Sequence, residues 1–135
     1  MLLAALVLWS ESVAAEDLVV IVHPERTVRL DSSDIVQIYL KQRRFWPDGT
    51  VIVPVNRDSA SAARAAFARL VFGRAASQLV FYWNRQYFKG VLPPATLASD
   101  QAVRSFVARE RRAIGYIHPR LVDDSVRTVL HLGVP

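Results

Sequence analysis

VIVPVNRDSASAARAAF, residues Val51 to Phe67, is where this chain declares its fold. Val51 to Val55 is a β-branched run that reads as a strand. Pro54 has no N–H to give a ladder, so it belongs on an edge strand or at the strand's end. Asn56 to Ser61 supplies turn and capping oxygens, and the apolar period then changes. Ala63, Phe67, Leu70 and Val71 recur at helical spacing until Gly73 stops the run. A strand that hands directly to a helix is the unit of an α/β domain.

The same reading extends in both directions. Asp17 to Val22 (DLVVIV) is a buried strand closed by His23-Pro24. Asp31 to Asp34 offers N-cap oxygens to a helix whose buried face is Ile35, Ile38 and Tyr39. The basic stretch Lys41 to Arg44 runs through Phe45-Trp46 into the turn Pro47-Asp48-Gly49. Beyond Gly73, a helix is expected over Ala75 to Phe88, with Leu79, Trp83 and Tyr87 at i, i+4 and i+8 in the core. Gly90 and Pro93-Pro94 break the chain, and Ser99 caps a helix with the stripe Ala102, Val103, Phe106 and Val107. Ala113 to Ile117 and Val126 to Leu132 close the sheet. The expected order is β, α, β, α, α, α, β, β.

A chain of 135 residues with 52% hydrophobic residues and five glycines is a single globular domain and excludes disordered or collagen-like structure. The absence of cysteine excludes disulfides, thiolate metal sites and thiol nucleophiles. Met1 to Trp9 is an apolar run too short to span a bilayer, followed by Val13-Ala14-Ala15, the small-residue pattern of a signal-peptidase site. Residues 1–15 are therefore read as a signal peptide cleaved after Ala15, and 16–135 as one domain. Cleavage removes Glu11 and no base, so the net charge of the mature chain exceeds the +5 of the whole. Fifteen of the 17 basic residues are arginine, and a surface of that sign favours anionic partners.

His23, His118 and His131 lie far apart without a metal-binding spacing, and the nucleophile-elbow, P-loop and dinucleotide motifs are absent. No cofactor, metal or catalytic residue is expected. Arg57-Asp58-Ser59-Ala60-Ser61-Ala62-Ala63-Arg64 is chemically more pointed. It sets two hydroxyls at a helix start with an arginine on either side. Unpaired N–H groups and the helix dipole favour an oxyanion there, and guanidinium forks match its oxygens. Arg57, Ser59, Ser61 and Arg64 are the candidate ligand-binding residues. The plainer alternative makes Ser59 only the N-cap and leaves the arginines in solvent. The aromatic-basic stretches Gln42 to Trp46 and Phe81 to Gly90 could stack single-stranded nucleic acid. Their rings fall at core spacing, so core packing is preferred and no nucleic-acid partner is expected.

Taken together, Asp31 to Phe67, VFGRAASQLVFYW (Val71 to Trp83) and AIGYI (Ala113 to Ile117) resemble, in order and spacing, phosphate ABC transporter substrate-binding proteins of the periplasmic-binding-protein-like superfamily. The resemblance covers most of Asp17 to Leu132. It implies a type II periplasmic-binding-protein-like lobe, α/β, with a mixed sheet flanked by helices. It also implies an exported, periplasmic, non-catalytic protein that binds phosphate or a similar small anion.

Carried over from that family, Ser59, Ser61 and Arg64 take the helix-start positions of the ligand turn, with Arg57 just before them. The family's Gly-Thr is Ala62-Ala63 here, which removes one hydroxyl donor and glycine's backbone freedom. The chain also has the mass of one lobe where the full-length proteins close two. A single lobe offers half a cleft, which a homodimer can complete. The alternative function is an interaction or sensor-input module that keeps the fold, has lost tight ligand binding, and contacts a membrane transporter or sensor protein.

Overall fold

The structure is a computed structural model that describes residues 17–74 and 76–133. The proposed signal peptide, residues 1–15, lies outside the described residues. The elements run β1 (Leu18–Val22), α1 (Ser32–Tyr39), β2 (Val53–Arg57), α2 (Ala62–Phe72), a 3₁₀ turn at Ala76–Leu79, α3 (Val80–Phe88), β3 (Ala95–Leu97), α4 (Asp100–Arg109), β4 (Ala113–Ile117), a second 3₁₀ turn at Pro119–Leu121 and β5 (Arg127–Leu132).

One five-stranded mixed sheet carries them, in the order β3-β2-β4-β1-β5. β2 pairs parallel to both β3 and β4, and β1 pairs antiparallel to β4 and β5. Alternation along β1 separates two cores. Leu18, Val20 and Val22 face α1 and α2, where Ile35, Ile38, Tyr39 and Phe67 cover them. Val19 and Ile21 face α4, against Val103 and Val107. This is the helix-flanked mixed sheet expected of the fold class.

The helix starts follow from their caps. Asp31 and Asp34 form a reciprocal capping box on α1. Ser61 caps α2 by accepting from the Arg64 N–H at 3.2 Å, and Ser99 caps α4 by accepting from Ala102 at 3.0 Å. Gly73 closes α2 at φ 65, a left-handed conformation that favours glycine.

The structure corrects three expectations. First, the order gains a strand. Ala95-Thr96-Leu97 is too short and too mixed to read as one, and its parallel pairing with Val55 to Arg57 makes it a strand. Second, β2 is interior and starts two residues later than Val51. Pro54 is tolerated because it sits near the strand's start, paired only toward Ile114 of β4, before β3 begins opposite Val55.

Third, the segment expected as a core helix over 75–88 is a 3₁₀ turn followed by α3, and α3 buries no residue. Trp83 is only half-buried, and Phe81, Tyr87 and Phe88 are 80%, 66% and 89% exposed. The core tryptophan is Trp46, whose Nε1 donates to the Arg112 carbonyl at 3.0 Å beneath the Arg26 guanidinium.

Gly115 fixes how closely α4 approaches the sheet. A Cβ at that position would lie 2.6 Å from Val103 Cγ1 and 3.1 Å from Val55 Cγ2. β-branched side chains cannot rotate away freely, so the helix or strand must shift. Gly115→Ala is expected to cost about 1–3 kcal/mol by overpacking, read as a lower denaturation midpoint in urea.

Candidate functional site

Because β2, β3 and β4 are parallel, their carboxyl ends share one edge of the sheet, which is where open α/β sheets place ligands. The residues that follow these ends build the site. Arg57 ends β2, Ser99 and Asp100 follow β3 by two and three residues, and His118 follows β4. The antiparallel β1 begins at the same edge.

Between them lies an open groove of about 390 Å³, walled by Arg57, Ser61, Ser99, Asp100, His118 and Arg120. Two helices point their N-termini at it. Each cap hydroxyl spends its oxygen on a helix N–H and keeps its own hydrogen to donate. The first-turn N–H groups of Ala62, Ala63, Asp100 and Gln101 have no intrahelical acceptor by construction.

A charged junction holds the three strand ends together. Arg57 Nη1 donates to Asp100 Oδ1, and Arg57 Nη2 donates to the Ala98 carbonyl at 3.2 Å. The other Asp100 oxygen accepts from the His118 N–H at 3.0 Å. Asp58 Oδ1 lies 3.7 Å from Arg57 Nη2. Arg57 Nε and Asp58 Oδ1 are buried and lack hydrogen-bond partners among the described residues. The junction is therefore strong in charge and incomplete in hydrogen bonding.

Of the four residues expected to bind ligand, the structure brings Arg57 and Ser61 to the groove. Ser59 is exposed in the turn before the cap, which is made by Ser61. Arg64 is directed elsewhere. Its Nη1 donates to the Arg57 carbonyl at 3.1 Å, and it lines a separate cavity of about 40 Å³ with Asn56, Phe67, Trp83 and Pro94. A space of that size suits water more than a solute.

Sequence reasoning missed Ser99 as a wall of the site, and it missed Asp100 and His118 altogether. Ser99 was legible only as a cap. Its arrival beside Ser61 depends on β3, which the sequence hides. Among the described residues no group of three or more acidic or histidine side chains is placed to hold a metal ion.

Behind the groove, Tyr116 stacks on Phe67 with ring centroids 3.9 Å apart and planes 3° from parallel. Its hydroxyl donates to Asn56 Oδ1 and accepts from the Arg57 N–H at 3.2 Å. Burial pushes its phenol up to about 12, against the opposing pull of the Arg57 N–H and of the Arg64 and Arg57 charges. A phenol raised in the folded state lends stability that is complete below the unfolded value near 10 and is lost as pH rises through about 12. Tyr116→Phe should therefore flatten the fall in stability over that alkaline window, as followed by denaturation midpoints against pH. An unchanged slope would contradict the buried-phenol account.

No family model matches the chain, and no curated protein matches it. Solved structures do. An ABC-type phosphate transport receptor from Vibrio cholerae superposes with a TM-score of 0.68 at 20% identity, covering 85% of this chain and 46% of its own. A protein described as a phosphate ABC transporter substrate-binding protein, from Clostridium perfringens and solved with bound phosphate, gives 0.65 at 28% identity, with 85% and 45% covered. PstS from Borrelia burgdorferi gives 0.65 at 16% identity, with 83% and 46% covered. The chain thus has the fold of about half of these proteins, in agreement with the resemblance to one lobe of that family. It spans less than half of their length.

Proposed function

We propose that the groove at the carboxyl ends of β2, β3 and β4 binds phosphate or a similar oxyanion, without catalysis, in a protein exported to the periplasm. The observation that carries this reading is the convergence of two serine-capped helix N-termini on one groove with Arg57 between them. Two dipoles, two donor hydroxyls and a guanidinium are the donor set that an oxyanion requires. Asp100 adds selectivity. Asp100 already accepts from Arg57 and the His118 N–H, and its remaining lone pairs can accept only from an oxyanion that still carries a proton, so monohydrogen phosphate gains a bond there that sulfate cannot make. The Arg57 Nε–H, buried and without an acceptor among the described residues, is a donor left over for an added oxyanion oxygen.

The structural neighbours named for phosphate transport and phosphate binding support the same reading. They also supply roughly twice this chain's length, so one lobe walls a cleft on one side only. A second copy of the chain, or a membrane transporter or sensor protein, is the natural covering partner. Met1 to Ala15 serves as the export signal and 16–135 as the working domain; N-terminal sequencing of the exported protein reads the cleavage point.

Calorimetric titration with phosphate tests the site. Arg57→Ala should weaken binding by about 1.5–3 kcal/mol, the scale of a charge-assisted hydrogen bond. Arg64→Ala should weaken it less, because Arg64 lines the other cavity. Equal affinity of Arg57→Ala and the unaltered protein would remove the groove from the account.

A further inference from the structure

We infer that α3 is a membrane-docking face that seats on an anionic bilayer. The inference is independent of the phosphate reading, since α3 contributes no wall to the groove at the strand ends.

α3 is an inverted helix. Val80, Phe81, Asn84, Tyr87 and Phe88 fall at i, i+1, i+4, i+7 and i+8, which places them on one face. That face is turned to solvent: each of these five residues is exposed. The inward side carries the more polar set, Tyr82, Trp83 and Gln86, all half-buried, with the Tyr82 hydroxyl donating to the Leu40 carbonyl. A helix of a soluble monomer buries its apolar stripe, so protruding phenyl rings signal an apolar surface that something else covers.

Charge identifies the covering surface. From Ser59 to Ser99 the chain has five basic residues, Arg64, Arg69, Arg74, Arg85 and Lys89, and no acidic one. Arg69, Arg74, Arg85 and Lys89 are exposed, and none of them forms an ion pair among the described residues. Arg85 lies on α3 itself and Lys89 immediately follows it. Projecting aromatic and aliphatic side chains beside unpaired bases are the chemistry of interfacial insertion, with rings in the acyl boundary and cations at the phosphate headgroups. Among the described residues no helix is long and apolar enough to cross a membrane.

The other occupants fit less well. A second copy packed symmetrically on α3 would bring Arg85 and Lys89 against their own equivalents with no acid to relieve them. Single-stranded nucleic acid would use the rings as stacking platforms, which leaves Val80, and Leu92 just beyond the helix, without a role.

The test is co-sedimentation of the full chain with vesicles of phosphatidylglycerol and phosphatidylcholine in equal parts. The unaltered chain is compared with Phe81→Ser/Phe88→Ser and with Arg85→Gln/Lys89→Gln. All four positions are exposed, so circular dichroism and melting should be unchanged. The expected result is binding to the mixed vesicles, weakened roughly tenfold or more in either double variant, and lost on phosphatidylcholine alone. Undiminished binding of Phe81→Ser/Phe88→Ser would overturn the inference, because it would assign the attachment to another segment such as Met1 to Trp9. So would a failure to bind the mixed vesicles, whether alone or together with α3-dependent self-association or α3-dependent binding of an oligonucleotide.

Discussion

Three strand ends meet at the Asp100 carboxylate. It receives Arg57 from the end of β2 and the His118 N–H from the end of β4, and it occupies the first turn of α4 just after β3. Arg57 returns a second bond to the Ala98 carbonyl, so the loops after β2 and β3 are tied twice. Little of this pair is open to water, with both side chains at 14% exposure. Removing either partner would strand the other charge, a heavier penalty than losing an exposed ion pair. The ladder pairings set the register of β2, β3 and β4, and this junction ties together the residues that follow their carboxyl ends, where the groove lies.

The site and the core are coupled through Tyr116. Its ring stacks on Phe67 and packs at a tilt beside Tyr39 on the α1–α2 face, while its hydroxyl reaches Asn56 and the backbone of Arg57. On the opposite face, Gly115 admits Val103 and sets the height of α4, whose N-terminus forms the second wall of the groove. Adjacent residues of β4 thus position the two walls from opposite sides of the sheet.

Much of this was legible in the sequence where the signal is local. β1, α1, α2, α4 and β4 have strong periodicity and explicit caps, and the run from Val51 to Phe67 announces the strand-to-helix unit that places Arg57 and Ser61. What stayed hidden depends on distant pairing. β3 is three residues long and exists through its partner, so the approach of Ser99 and Asp100 to Arg57 could not be read. Arg64 was legible as a helix-start arginine, but three residues past the Ser61 cap it points to another cavity. The rings of α3 misled for a different reason. Helical spacing reveals that a face exists and is silent on whether it turns inward, and the inward side of α3 is the one with Tyr82 and Gln86. The same helix then leaves an apolar, acid-free face on the outside, remote in function from the groove.

The proposed oxyanion would sit on the two helix N-termini that face the groove at the strand ends. Amide nuclear magnetic resonance during titration with phosphate tests that placement directly, because the proposed donors are backbone N–H groups. Saturable shifts are expected to concentrate at Ala62, Ala63, Asp100 and Gln101, with sulfate producing far smaller ones. Saturable shifts confined to other parts of the chain, or none at these four amides, would contradict the oxyanion reading.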